Sequence, residues 1–167
     1  MTKSTALTPE LIGSTREEWQ AIIGEEEFAV RFARFFELDL PRSRELIIAV
    51  ICSGSSGADA LVEIISSPKT LKTKLMNVVL RPDYTNLESQ TIPPQVLEVY
   101  FEAVKATFGT AIDHEAEQVK LYGRTNDLFE MLKKISELLD IAPLDGYIHK
   151  IEGRWLTFHK SSSRLGL

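Results

Sequence analysis

The chain has 167 residues, of which 44% are hydrophobic and 26% charged, a balance typical of one globular domain rather than of a disordered chain. Its formal net charge of −5 argues against general nucleic-acid binding, and its single cysteine, Cys52, excludes an intrachain disulfide. The longest apolar run, residues 46–52, is far shorter than the ~20 residues of a membrane span, and no signal peptide is recognisable, so we expect a cytoplasmic protein without membrane contact.

Helical spacing dominates the first third of the chain. Ser14, followed three positions later by Glu17, is typical of a capping box and predicts a helix beginning near residue 14. Gly24 separates this helix from a second one, predicted over about 25–37, in which aromatic residues recur along one face. These residues are Phe28, Phe32, Phe35 and Phe36. The apolar segments 46–51 and 58–66 are interpreted as two further helices.

A glycine- and serine-rich segment, residues 52–57, separates those two helices. Gly54 and Gly57 flank two serines, and such a loop at a helix N-terminus can hold a phosphate. The same segment can equally be a turn, and both interpretations stay open. It lacks the Lys-Ser/Thr pair of a P-loop and the glycine spacing of a dinucleotide-binding loop, so the sequence predicts no cofactor.

The segment 60–77 loosely resembles a helix-turn-helix, with a short helix, a break and a second helix that begins at Pro68. The second helix would present cations and one amide to DNA, namely Lys69, Lys72, Lys74 and Asn77. Ile65 stands where such turns usually have glycine, and few side chains that read base edges are present. A small DNA-binding regulator is therefore an alternative function rather than the main one.

Residues 81–94 form the longest predicted loop, a connector inside one domain. The helix predicted after it carries an apolar stripe and ends at Gly109. The stripe comprises Leu97, Tyr100, Phe101, Val104 and Phe108. Another helix is predicted to end at Tyr122, and the next to begin at Thr125 or Asn126. We expect the apolar face of this last helix, Leu128, Leu132, Ile135 and Leu139, to pack against the first stripe.

The hydrophobic period changes at the C-terminus, where aromatic and β-branched residues flank a glycine. This pattern predicts a β-hairpin over 147–159, followed by a frayed tail over 161–167. Because aromatic residues and cations interleave there, the hairpin is a candidate interaction surface for another protein or a second copy of the chain. The candidate residues are Tyr147, Lys150, Arg154, Trp155 and Lys160. Whether Trp155 belongs to the core or to an interface stays open.

Two sets of polar residues have side chains suited to chemistry. Asp113, His114 and Glu117 are spaced for one helix face, but no second segment supplies further metal ligands. His149 and His159 lie in the predicted hairpin, and no serine or cysteine nucleophile is tied to them by a motif. We interpret both sets as solvated surface residues, so the sequence predicts no catalytic residue and no metal site.

Together these patterns predict a mainly α fold, a compact bundle of seven or eight helices with a small C-terminal β-hairpin, in a single domain over 1–167. Without a catalytic signature, the sequence favours a non-catalytic regulatory or adaptor protein that binds other proteins. A DNA-binding regulator with a degenerate helix-turn-helix at 60–77 is the first alternative. An enzyme of unknown reaction is the second.

Overall fold

A computed structural model describes residues 2–36, 46–54, 57–84 and 93–161. Within these residues, three helices follow the first strand, further strands and helices come after them, and seven strands form one mixed sheet in the order β1-β2-β3-β4-β5-β7-β6. The strands are β1 (Lys3–Ala6), β2 (Leu46–Cys52), β3 (Ala60–Ser67), β4 (Lys72–Leu80), β5 (Gln118–Tyr122), β6 (Tyr147–Glu152) and β7 (Trp155–Lys160). The helices are α1 (Pro9–Ile23), α2 (Glu25–Arg31), α3 (Ala33–Phe36), α4 (Pro94–Asp113) and α5 (Asn126–Ile141), with a short 3-10 turn at Pro82–Tyr84.

The predicted mainly α bundle is therefore wrong, because the fold is α/β with a central sheet. Four segments predicted as helices, 46–51, 58–66, the stretch that begins at Pro68 and the stretch ending at Tyr122, contain the strands β2, β3, β4 and β5. Each is short and rich in apolar residues, and a buried strand of this length cannot be distinguished from a helix by periodicity alone. The predicted hairpin over 147–159 is formed by β6 and β7, whose register pairs Glu152 with Trp155.

The chain divides into two compact units. Unit 1 comprises Met1–Glu63 and Val78–Ala103, and unit 2 comprises Ile64–Asn77 and Val104–Leu167. Strands β3 and β4 and helix α4 run from one unit into the other.

An aromatic cluster forms the core of unit 1. The Trp19 ring is fully buried and meets the rings of Phe32 and Phe36 edge-on, at centroid distances of 5.1 and 5.7 Å. Phe28 packs against the same two phenylalanines, so these three residues of the predicted aromatic face turn inward, while the side chain of Phe35 lies outside the described part. The one helix predicted over 25–37 is divided into α2 and α3. The Trp19 indole N–H donates to the Ala58 carbonyl at 2.9 Å, which satisfies its polar atom inside the core.

Helix α1 begins earlier than the capping-box pattern predicts. Pro9 occupies its first turn, and the Thr8 hydroxyl accepts a hydrogen bond from the Leu11 amide at 3.2 Å. Thr8 is therefore the N-cap, and proline directly after it is a favoured arrangement. Gly24 ends the helix with φ of 84°, a left-handed conformation that glycine adopts without steric cost. Ser14 lies inside the helix, where its hydroxyl donates to the Leu11 carbonyl.

In unit 2, the helices α4 and α5 contact one face of the strands. Val119, Leu121, Leu156 and Phe158 are buried, and the Phe158 ring meets the α4 residue Phe108 edge-on at 5.1 Å. Helix α5 packs on β6 and β7, and its Asp140 carboxylate lies 2.9 Å from the His149 imidazole. His149 shares a face with Phe158 because the two are directly opposed in the register. These contacts of α4 and α5 are therefore made on one face of the unit 2 strands.

Helix α4 turns a different side inward from the predicted one. It buries Val96, Val99, Ala103 and Ala111, whereas Leu97 and Phe101 of the predicted stripe are 45% and 66% exposed. Leu132 of α5 is buried as expected. Within the described residues, no helix combines the length and the hydrophobicity needed to cross a membrane.

Candidate functional site

The two parallel neighbours in the sheet, β4 and β5, are paired over only the first part of β4. Their register covers four residue pairs, from Lys72↔Gln118 to Leu75↔Leu121. Strand β4 then continues to Leu80, so its residues 76–80 have no partner residue in β5. We call the place where this pairing ends, with Met76 and Asn77 on β4, Tyr122 at the end of β5 and Gly123 directly after it, the β4–β5 wedge.

A wedge of this kind is a place where a ligand can bind. In open α/β sheets, ligands bind beyond the carboxyl ends of parallel strands, where the chain leaves for a helix. A strand edge that lacks a neighbour presents backbone N–H and C=O groups, and a ligand with amide groups can complete that ladder. The wedge therefore offers main-chain hydrogen bonds rather than a cluster of reactive side chains.

The rim of the wedge on the β5 side is held by Arg154, from the turn between β6 and β7. Its Nε donates to the Gly123 carbonyl at 2.7 Å, and its Nη1 donates to the Asn126 Oδ1 at 3.3 Å. Its guanidinium also lies 5.1 Å from the centre of the Phe129 ring. A Cβ added at Gly123 would lie 2.8 Å from the Phe129 Cα, so only glycine lets α5 approach the strand this closely.

Unit 1 contains a separate acidic cluster around Arg81. The guanidinium lies 3.0 Å from the Glu18 carboxylate and 3.5 Å from that of Asp59, and it makes two hydrogen bonds to Asp83, at 2.7 and 2.9 Å. The Asp59 side chain is only 1% exposed, and its Oδ2 has no hydrogen-bond partner among the described residues. One cation therefore faces three carboxylates, of which one is deeply buried.

Tyr84 completes this cluster. Its hydroxyl donates to the Asp59 Oδ1 at 3.0 Å, and its ring lies 4.7 Å from the Arg81 guanidinium. Burial and then the bond to Asp59 raise the pKa of the Tyr84 phenol above its ordinary value of 10.0. The pKa of Arg81 is also raised, first because it donates to Asp83. Tyr84 therefore stays a neutral hydrogen-bond donor, and Arg81 stays a cation, throughout the physiological pH range.

The five residues of the predicted interaction surface divide between two faces and a turn. Tyr147 and Lys160 are directly opposed, and the Tyr147 ring meets Phe108 at 5.4 Å, on the face that α4 contacts. Lys150 and Trp155 belong to the other face, and Arg154 lies in the turn. Trp155 is half-buried and stacks on Tyr122 at 4.7 Å, so it is neither wholly core nor fully exposed.

The predicted helix-turn-helix at 60–77 is a pair of strands joined by a turn. Lys69 lies in that turn, Lys72 and Lys74 lie in β4, and Asn77 lies beyond the paired part of β4. Without a recognition helix, these residues cannot enter a DNA major groove in the manner predicted. Lys72 and Lys74 instead share one face of the sheet, because residues two apart in a strand point the same way.

The histidines and the metal-like set make ordinary hydrogen bonds. His114 Nδ1 lies 2.9 Å from the Ser66 hydroxyl, and His159 Nδ1 lies 3.1 Å from the Gln118 amide. Among the residues that the structure describes, no three or more His, Cys, Asp and Glu side chains converge as metal ligands.

Of the glycine-serine segment, only its edges are described, since residues 55–56 lie outside the described residues. Gly57 packs closely against α1, because a Cβ added there would lie 3.2 Å from the Thr15 Cα and would overlap the Glu18 carboxylate. Thr15 also accepts a hydrogen bond from the Ala58 amide at 2.9 Å. Gly57 therefore serves close packing, and the ligand-loop interpretation of residues 54–57 gains no support from these contacts.

No family model matches the sequence, and no curated protein matches it. Solved structures do share its fold. The structure of AtaT complexed with acetyl-methionyl-tRNAfMet aligns with a TM-score of 0.57 at 10% identity, covering 95% of each chain. The ribosomal-protein-S18-alanine N-acetyltransferase from Escherichia coli aligns with a TM-score of 0.51 at 11% identity, covering 100% of this chain and 99% of that one.

A third structure identifies the fold class. A probable acetyltransferase of the GNAT family from Chromobacterium violaceum aligns with a TM-score of 0.53 at 11% identity, covering 95% of this chain and 84% of that one. The chain has the GNAT acetyltransferase fold. In this chain, the parallel strands β4 and β5 are joined through the long helix α4.

The GNAT fold corrects the predicted function. The expectation of a non-catalytic regulatory or adaptor protein is wrong, because two of these structures are named as acetyltransferases and the third is complexed with acetyl-methionyl-tRNAfMet. The expectation that the protein is not an enzyme is wrong for the same reason. Of the predicted alternatives, the enzyme of unknown reaction agrees best with these structures.

The wedge was not predicted, because both of its strands were interpreted as helices. One signal was available in β4, where Thr73 and Leu75 are buried and alternate with Lys72 and Lys74. Alternation of this kind is typical of a strand with one buried face.

Proposed function

We propose that this protein transfers an acyl group from a thioester to a primary amine. The observation that carries the proposal is the β4–β5 wedge, where parallel pairing stops at Leu75 while β4 continues to Leu80. An acyl thioester such as acetyl-CoA carries its acyl group on an arm that contains amide groups. Such an arm can complete the hydrogen-bond ladder along residues 76–80, as an added strand would.

The reaction needs few reactive side chains. A neutral amine attacks the thioester carbonyl carbon, which forms a C–N bond and moves an electron pair onto the carbonyl oxygen. The C–S bond then breaks, and the proton lost by the amine ends on the departing sulfur. Backbone N–H groups on the free edge of β4 are suited to stabilise the oxyanion, and positioning two reactants in one site supplies much of the rate enhancement. This fits a wedge lined by main-chain groups.

The N-terminus of α4 is poorly suited to bind the diphosphate group of acetyl-CoA. The sequence between β4 and α4, residues 81–93, contains no glycine, whereas loops that cradle phosphates with backbone amides are usually glycine-rich. Pro94 lacks an amide hydrogen, and the Val96 amide already donates to the Pro93 carbonyl at 3.0 Å. We therefore expect the acyl-bearing arm, rather than the nucleotide end of acetyl-CoA, to contribute most of the donor's affinity.

The acceptor is proposed from two structures that share the fold. One is an N-acetyltransferase for an alanine of a ribosomal protein, and the other is complexed with an acetylated methionyl-tRNA. In both, the acetyl group is carried by an aminoacyl unit. We propose an α-amino group as the acceptor for this chain, and the cytoplasm, where its single cysteine would stay reduced, as the place of the reaction.

Hydrogen exchange tests where the donor binds. Amides in the segment 76–80 should become protected when acetyl-CoA is added, while the amides of β4 that are already paired with β5 should change little. Acetyl-pantetheine, which lacks the nucleotide, should protect the same segment at a concentration within about tenfold of that needed for acetyl-CoA, since 1.4 kcal/mol corresponds to tenfold. Protection absent from 76–80 with both thioesters would rule out the wedge as the donor site.

Turnover is measured separately, as free thiol released from acetyl-CoA in the presence of amines. Peptides with a free α-amino group should increase the release, and the same peptides with a blocked N-terminus should not. Donor binding without release for any amine tested would contradict acyl transfer while leaving the wedge as a binding site.

A further inference from the structure

One face of the unit 2 strands is basic. The register places Lys74 opposite Lys120, Lys120 opposite Thr157, and Thr157 opposite Lys150, so these side chains share a face across β4, β5, β7 and β6. Lys72 lies two residues from Lys74 and belongs to the same face. We call Lys72, Lys74, Lys120 and Lys150 the lysine face. It is opposite to the face on which Phe108 and His149 make their contacts with Phe158.

Repulsion between these lysines lowers the stability of the sheet unless an anion binds to them. Like charges directly opposed on neighbouring strands destabilise a sheet, and Lys74 and Lys120 are such a pair. Both ammonium groups also lie over the Trp155 ring, at 5.9 and 5.1 Å from its centre. Within the described residues, Glu152 on this face forms an ion pair with Lys150 at 2.9 Å and also interacts electrostatically with Lys120, so one carboxylate faces several lysines.

The charge of the chain is unevenly distributed. Unit 2 contains 12 Lys and Arg against nine Asp and Glu, a formal charge of +3. Because the whole chain has a formal charge of −5, the residues of unit 1 have a formal charge of −8. The negative net charge therefore conceals a basic unit. A basic face with exposed and half-buried lysines attracts anionic partners at long range, and salt weakens that attraction.

We propose that the lysine face binds a single-stranded nucleic acid. Lys74 and Lys150 lie three strand spacings apart, about 14 Å at the usual distance between neighbouring strands, which is too long for one phosphate and suits an extended chain of phosphates. Trp155 and Tyr122, stacked at 4.7 Å beside the lysines, supply the aromatic surface on which bases stack. Cations in a row with aromatic rings beside them are the features that bind single strands without sequence preference.

The probe is a fluorescent single-stranded RNA of about 12 nucleotides and mixed sequence, within the usual site size of such proteins. Binding is followed by fluorescence anisotropy at several salt concentrations, with the full chain and no acyl donor. If Lys74, Lys120 and Lys150 each contact one phosphate, the logarithm of affinity should fall with the logarithm of salt concentration with a slope of about −2. The pair of changes Lys74→Gln and Lys120→Gln should reduce that slope to about −0.7 and weaken binding about 10- to 30-fold at moderate salt.

Matched variants separate contact from general charge. Lys134→Gln removes the same charge from an exposed position on α5 and should leave the affinity within about twofold, because α5 packs on the opposite face of the unit 2 strands, where salt screens its charges from a ligand on the lysine face. Lys74→Arg with Lys120→Arg keeps the cations and should keep the binding. If the glutamine pair unfolds the chain, Lys150→Gln, at an exposed position, replaces it and should reduce the slope by about 0.7.

Two further ligands decide which anion the face recognises. An abasic strand of equal length keeps the phosphates and should bind several-fold more weakly, because it cannot stack on the aromatic rings. A poly-glutamate peptide should bind more weakly than the RNA. Tighter binding of poly-glutamate, equal binding of the abasic strand, or equal loss in the Lys134 variant would each overturn the proposal. Since no acyl donor is present, none of these results bears on acyl transfer.

Discussion

Replacement of Arg81 by leucine should destabilise unit 1 strongly. Asp59, whose side chain is 1% exposed, would keep only the hydroxyl of Tyr84 as a partner and would become a buried charge without a cation. Removing one partner of a buried ion pair typically costs 3–5 kcal/mol. The Arg81 side chain is 18% exposed and that of Glu18 is 24% exposed, so water offsets part of this. We expect Arg81→Leu to lower the free energy of unfolding by about 3 kcal/mol.

The measurement is urea unfolding followed by the fluorescence of Trp19, which is fully buried in unit 1. Asp83→Asn is the matched control: this carboxylate makes two bonds to Arg81 but is 42% exposed, so its loss should cost less than about 1 kcal/mol. Asp59→Asn, introduced into the Arg81→Leu protein, removes the uncompensated charge and should restore about 1–2 kcal/mol. A loss below about 1 kcal/mol for Arg81→Leu, or none restored by Asp59→Asn, would refute this reasoning.

Three other predictions concern single positions. Gly123→Ala should lower the free energy of unfolding by about 1–3 kcal/mol, because the new Cβ would overlap α5, whereas Gly109→Ala, with open space around it in α4, should be neutral or stabilising in the same denaturation assay. Phenolate absorbance should show that Tyr84 ionises above pH 10.0, and Asp59→Asn should lower that pKa. The stability that the neutral phenol contributes is present below pH 10 and is lost as pH rises above it. The pKa of Glu152 is held below 4.5 by its bond from a lysine, so its contribution to stability is present above that value and lost as pH falls below it, which a carboxyl NMR titration should follow.

Local patterns predicted the elements whose signals are local. Helix α5 begins at the predicted cap, since the Thr125 hydroxyl accepts from the Leu128 amide at 3.2 Å, and its Leu132 is buried. The C-terminal hairpin was recognisable because β-branched and aromatic residues flank a glycine, and Gly153 adopts φ of 60° in its turn. In both cases a few neighbouring residues determine the structure.

The central strands could not be predicted in the same way. Residues 46–52 form an uninterrupted apolar run, which is consistent with a buried strand and with a buried helix. Its length of seven residues favoured a strand, and that criterion should have decided between the two. The wedge depends on the pairing of β4 with β5, and no local pattern in either segment specifies that partner.

The parallel pair also has a consequence for how the chain folds. Lys72 and Gln118 are 46 positions apart in sequence, whereas the turn between β6 and β7 contains two residues, 153 and 154. Closing the longer loop costs about 3 kcal/mol more in chain entropy. The β6–β7 hairpin can therefore form first and offer β7 as a template to β5, with which it is antiparallel. On this order of events the pairing of β4 with β5, and with it the β4–β5 wedge, forms late.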